Sequence, residues 1–181
     1  MDIVILSTIP LVVGGIVLAP KIIDFAYGSN FTPAILAFKI LIVMTGITFF
    51  SQSFQYLLLA ANQTKIFFWV TASAAVLNIV LNFLLIPRFS LYGAATATLI
   101  TYFIMFILIL FSVKYFTPIS LFNLQLTKIL ILAVLSTGLM YFLIKQPFIY
   151  GLNIILTIIL GILIYFVTFF TFQKIARKIG F

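Results

Sequence analysis

The chain has no cysteine and no histidine, and its only acids are Asp2 and Asp24. Without cysteine there is no disulfide framework and no thiol nucleophile. Without histidine there is no imidazole base or metal ligand. Two carboxylates so far apart in sequence do not suggest a catalytic dyad. A membrane acyltransferase or glycosyl polymerase would lack its reacting groups, so neither an enzyme activity nor a cofactor is expected. A basic amino-terminal region is also missing: Asp2 stands there, and no small-residue cleavage site follows the first apolar run. That run is expected to be a retained span rather than a signal peptide.

What is abundant is hydrocarbon. Of 181 residues, 65% are hydrophobic and 7% charged, and the mean hydropathy is +1.38. A soluble domain of this size could not hide so much apolar surface, so the surrounding solvent is lipid. The net charge of +8 comes from cations scattered singly near the ends of apolar segments. That pattern belongs to a membrane protein and argues against nucleic acid as a partner.

A span needs about 20 apolar residues. Six segments qualify, at 3–23, 34–61, 66–86, 91–113, 129–144 and 148–172. The breaks are a loop with Gly28, Asn30 and Pro33; the turn Asn62-Gln63-Thr64-Lys65; Pro87-Arg88-Phe89-Ser90; a longer connection at 114–128; and Lys145-Gln146-Pro147. In the long connection, Thr117 and Pro118 suggest a cap and first position of a short interfacial helix carrying Leu121, Phe122, Leu124 and Leu126. Six spans put both termini on one side. That side holds Lys65, Lys114, Lys128, Lys174, Arg177 and Lys178, against Lys21, Lys39, Arg88 and Lys145 on the other. The bias favours cytoplasmic termini. Tyr27, Trp69, Tyr92, Tyr115 and Tyr150 fall near predicted helix ends, where amphipathic rings prefer to sit.

Polar residues inside the spans mark candidate sites. The second span holds Ser51, Gln52, Ser53 and Gln55; the third holds Thr71, Ser73, Asn78 and Asn82. Measured from their shared turn, Gln52, Gln55 and Asn78 are expected at comparable depths, with Asn82 a turn further out. These four amides either line a polar pathway or hydrogen-bond helix to helix. Gly93, Ala97 and Thr101, like Ala94 and Thr98, are spaced by four, a face for close helix packing. Asn153, Thr157 and Gly161 repeat the device. Lys39 either snorkels to the interface or attracts an anionic head group. Arg88, beside Pro87, reads as a topology and head-group anchor.

The run NIVLNFLLIPRFSLYGAATATLI, residues 78–100, resembles a segment of the polysaccharide transporters. These are the O-antigen flippase type within the multidrug/oligosaccharidyl-lipid/polysaccharide exporter superfamily. Ile9-Pro10, Ala19-Pro20, Tyr27-Gly28 and Phe31 are similar to the family's segment before a late outer loop, and Leu57-Leu58-Leu59-Ala60-Ala61-Asn62 to its inner hairpin. The likeness covers residues 9–115; from Lys128 onward only the span count matches.

The resemblance implies an all-α membrane protein whose six transmembrane helices match the carboxy-terminal part of a MATE-like two-lobe transporter. Residues 1–116 would supply four core-type helices of that lobe, 117–128 an interfacial connection, 129–172 a peripheral helix pair and 173–181 a basic cytoplasmic tail. It implies part of a flippase that moves undecaprenyl-diphosphate-linked oligosaccharide across the bacterial cytoplasmic membrane for surface polysaccharide synthesis. The substrate would meet Gln52, Gln55, Asn78, Asn82 and Lys39. Its partners would be the lipid-linked oligosaccharide, membrane lipids, and an amino-terminal half or a homodimer partner. The cavity arginines and coupling acids of the family's other lobe have no counterpart here. The alternatives are a multidrug or metabolite exporter of the same superfamily, and a non-transporting membrane fragment. The exporter is disfavoured because neither acid lies at mid-membrane depth.

Overall fold

The computed structural model describes residues 2–117 and 124–178. Among them there is no strand. The elements are α1 (Asp2–Tyr27), a 3-10 turn (Ser29–Phe31), α2 (Ala34–Ala60), α3 (Thr64–Phe116), α4 (Leu124–Ile144), α5 (Pro147–Tyr150) and α6 (Ile154–Lys178). Five of these are long and apolar enough to cross a membrane. Phe83, Tyr115 and Phe148 are each at least 80% exposed, an arrangement stable against hydrocarbon and costly against water. Backbone groups in lipid must be satisfied within the segment, which helices do. The hydroxyls follow suit: Thr45, Thr96, Thr98, Ser112 and Ser136 each donate to the carbonyl four residues back, at 2.7–2.9 Å.

At 53 residues, α3 would be about 80 Å long if straight, well over twice a hydrocarbon core. It is not straight. Ser90 has φ 51° and ψ −125°, outside the helical region, and divides the element into arms 64–89 and 91–116. The sequence reading places a four-residue break at Pro87-Arg88-Phe89-Ser90. The structure confines it to Ser90, with Pro87 inside the first arm. Positive φ at a non-glycine residue is strained, and one such residue is enough to reverse the chain.

Two compact units result, each from part of the chain. The first contains α1, the 3-10 turn, α4, α5 and α6. Its core is Leu18, Met140, Ile144 and Tyr165, flanked by Val13, Val17, Ile22, Tyr150 and Ile164. The second contains α2 and both arms of α3. There Phe54 and Leu58 pack on Ile109 and Val113, with Val70, Met105 and Phe106 around them. Packing therefore groups α1 with α4 and α6, whereas the sequence reading counts it with the helices at 34–116.

Boundaries differ in four further places. Helix α4 begins at Leu124, inside the connection read as 117–128. Thr117 closes α3: its N–H and hydroxyl both donate to Val113 O, at 2.9 and 2.7 Å. Pro118, Leu121 and Phe122 lie outside the described residues. The last span starts at Ile154, not Phe148, because Pro147–Tyr150 forms a separate turn of helix. Asn153 Oδ1 accepts the N–H of Ile155 at 3.1 Å, which caps α6. The backbone of α6 stays helical to Lys178, so the basic tail read at 173–181 is largely its last turn; 179–181 lie outside the described residues.

Candidate functional site

In the unit built from α2 and α3, three polar side chains join where the two arms meet. Asn78 and Thr101 lie 12 and 11 positions from Ser90, so a hairpin folded there brings them opposite one another. Asn78 Nδ2 donates to Thr101 Oγ1 at 3.2 Å, and Thr101 Oγ1 donates to Ala97 O at 2.8 Å. Asn82 Nδ2 donates to Asn78 Oδ1 at 2.8 Å. Three side chains and a carbonyl thus form one relay across the two arms. Both asparagines are half-buried and Thr101 is buried.

The relay requires a close approach, and small residues supply it. Gly93, Ala95, Ala97 and Thr101 are all buried. A Cβ on Gly93 would sit 2.3 Å from the carbonyl oxygen of Leu85, on the opposite side of the fold. No side chain fits there, so the backbones meet directly. At the same end, Tyr92 OH donates to Pro33 O at 2.8 Å and ties the start of α2 to the second arm.

The remaining candidates are placed differently. Gln55 is half-buried and donates to Ser51 Oγ on its own helix at 3.1 Å; Ser51 is buried. Gln52 is exposed. Lys39 is half-buried, five residues into α2. The structure therefore joins Asn78 and Asn82, leaves Gln55 in a contact within α2, and sets Gln52 on the outside of this unit. Arg88 is exposed beside the Ser90 reversal.

The three-helix unit holds polar groups to which the sequence reading gave no site role. Ser136 and Thr137 of α4, Thr8 of α1, and Thr157 and Tyr165 of α6 are all buried. Among the described residues, Thr8 Oγ1, Thr137 Oγ1 and Tyr165 OH have no hydrogen-bond partner. An apolar cleft of about 420 Å³ runs between α1 and α6, lined among others by Gly14, Leu18, Met140, Ile144, Gly161 and Tyr165. Gly161 is packed so that a Cβ would lie 2.9 Å from Ile144 Cδ1. Of the three residues read as one small-residue face in the last span, Thr157 and Gly161 are buried, while Asn153 is the exposed cap.

Lys21 gains a role there that charge counting does not give it. Its ammonium donates to the carbonyls of Tyr150 and Leu152, the latter at 2.9 Å, and lies 4.5 Å from the centroid of the Tyr150 ring. The available signal was a lysine between Pro20 and Ile22, inside an apolar run, where a cation needs a partner.

Comparison with protein-family models, with curated proteins and with solved structures gives no match.

Proposed function

We propose that the chain forms part of a flippase translocating undecaprenyl-diphosphate-linked oligosaccharide across the bacterial cytoplasmic membrane. In this reading it crosses the membrane six times, with α3 contributing two crossings and both termini cytoplasmic. The observation that carries the proposal is the Asn82–Asn78–Thr101 relay on a hairpin closed by Gly93. Asn78, Asn82 and Gly93 are among the residues on which the resemblance to polysaccharide transporters rests. The relay leaves Asn82 Oδ1, half-buried, as an acceptor for a sugar hydroxyl. Lys39 would meet the diphosphate.

Alternating access needs two bundles moving against each other. The chain alone is therefore expected not to flip substrate. The test is leaflet exchange of a fluorescent undecaprenyl-diphosphate sugar in liposomes. The chain alone should match empty liposomes, and activity should appear when an amino-terminal half is supplied. Exchange by the chain alone, well above empty liposomes, would make a homodimer the functional unit. No exchange with any supplied half would favour the non-transporting reading.

A further inference from the structure

The Lys21 ammonium stands at one end of the cleft between α1 and α6. Ile22, its neighbour on α1, lines that cleft, as do Thr157 and Ile158 on the facing stretch of α6. The cleft then runs along α1 to Leu6 and along α6 to Phe166. Over Leu6–Ile22 it extends about 24 Å, most of a hydrocarbon core. Its walls are apolar and Gly14, Gly15 and Gly161 thin them. Apolar walls facing lipid gain little by closing on each other, because the tails are as apolar as the side chains. Met140 and Ile144 of α4 pack against both helices, and a directional contact between α6 and α1 adds to that at the end of the cleft.

The turn joining α5 to α6 supplies acceptors for that purpose. Tyr150 is the last residue of α5, where helical carbonyls lose their partners. Ile149 O accepts the N–H of Leu152 at 3.2 Å, and Thr157 Oγ1 lies 3.0 Å from Asn153 O. The carbonyls of Tyr150 and Leu152 receive the ammonium of Lys21, and the Tyr150 ring covers its side. Two carbonyls and a ring face are the ligands a primary ammonium takes in a poorly hydrated place. Lys145, exposed just past the end of α4, by contrast meets among the described residues only Tyr141 of the adjoining helix, at 2.6 Å.

We propose that Lys21 is an intramolecular latch: it pins the α5–α6 turn to α1 and so sets the width of the α1–α6 cleft at that end. With the latch engaged the cleft holds one geometry. Without it, α6 swings from α1 and the cleft opens to the surrounding lipid.

The absence of cysteine makes the test direct. Leu11→Cys and Ile162→Cys place one spin label on each wall, at positions 48% and 52% exposed. Distances are read by double electron–electron resonance on the full chain in lipid nanodiscs. The parent pair should give one narrow distribution. Lys21→Met and Lys21→Gln should each shift it to longer distances, beyond the width of the parent distribution. Lys21→Arg, which keeps the charge and the donors, should retain the parent distribution, and so should Lys145→Met. Two uncharged replacements guard against one of them failing to fold, with helical content checked by circular dichroism. A folded Lys21→Met or Lys21→Gln protein with the parent distribution would overturn the proposal, as would an equal shift on Lys145→Met.

Discussion

The side-chain amide of Asn78 donates to the hydroxyl of Thr101, 23 positions away across the break at Ser90, at 3.2 Å. In a straight helix those residues would be about 35 Å apart. The bond is therefore a direct signature of the reversal at Ser90, and it defines where each arm of the hairpin should be sensitive to change.

Asn78→Leu should destabilise the protein by about 1 kcal/mol, the scale of hydrogen bonds between helices in lipid. Gln52→Leu, at an exposed position, should be nearly neutral. A double-mutant cycle of Asn78→Leu with Thr101→Val, followed by unfolding in mixed micelles, should return a coupling of roughly 0.6 kcal/mol. Strict additivity would show that the two side chains do not interact in the bilayer.

Gly93→Ala should cost more than its single methyl suggests. The new Cβ would press on backbone, 2.3 Å from Leu85 O, which cannot rotate away. Overpacking of this kind costs about 1–3 kcal/mol, and Gly93→Leu should disrupt folding further. Gly138→Ala, where nothing lies within 4 Å of the new atom, should stabilise α4 by up to about 1 kcal/mol. Leu108→Ala, on an exposed position, is the neutral reference. Comparable melting temperatures for Gly93→Ala and Gly138→Ala would contradict the close approach.

Ser90→Gly should raise stability, because glycine adopts φ 51° and ψ −125° without the steric penalty a side chain carries. The strain relieved is about 1–3 kcal/mol, less the extra freedom glycine gives the unfolded chain. Ser90→Val should be worse than the parent, since β-branching is least compatible with positive φ. Thermal unfolding of the three proteins orders them, and a Val variant equal to the parent would refute the strained turn.

Impermeant thiol labelling of intact cells should modify a cysteine at Ser29 and leave one at Asn62 unmodified. Both positions are exposed, and the chain has no cysteine of its own. The expectation follows from the six-to-four cation bias. The reverse pattern would invert the proposed orientation.

Much of the fold was legible because lipid imposes a coarse rule: a crossing needs about 20 apolar residues and ends where polarity resumes. The apolar segments, the turn at Asn62 and the close-packing role of Gly93, Ala97 and Thr101 all follow from residue type and spacing. The pairing of Asn78 with Asn82 follows as well, since residues four apart share a helix face.

Tertiary structure alone decided how the helices group and, away from the small-residue faces, which side of each turns inward. Large apolar side chains occur on lipid-facing and packed sides alike, so they carry little record of helix rotation. Gln52 and Gln55 lie only about 60° apart around their helix, yet one is exposed and the other half-buried. For the same reason nothing in the sequence joins α1 to α4 and α6, and Lys21 counted only as one cation on one side. Its partners are carbonyls 129 and 131 positions away. Backbone acceptors belong to every residue alike, so only the folded chain determines which of them an ammonium meets.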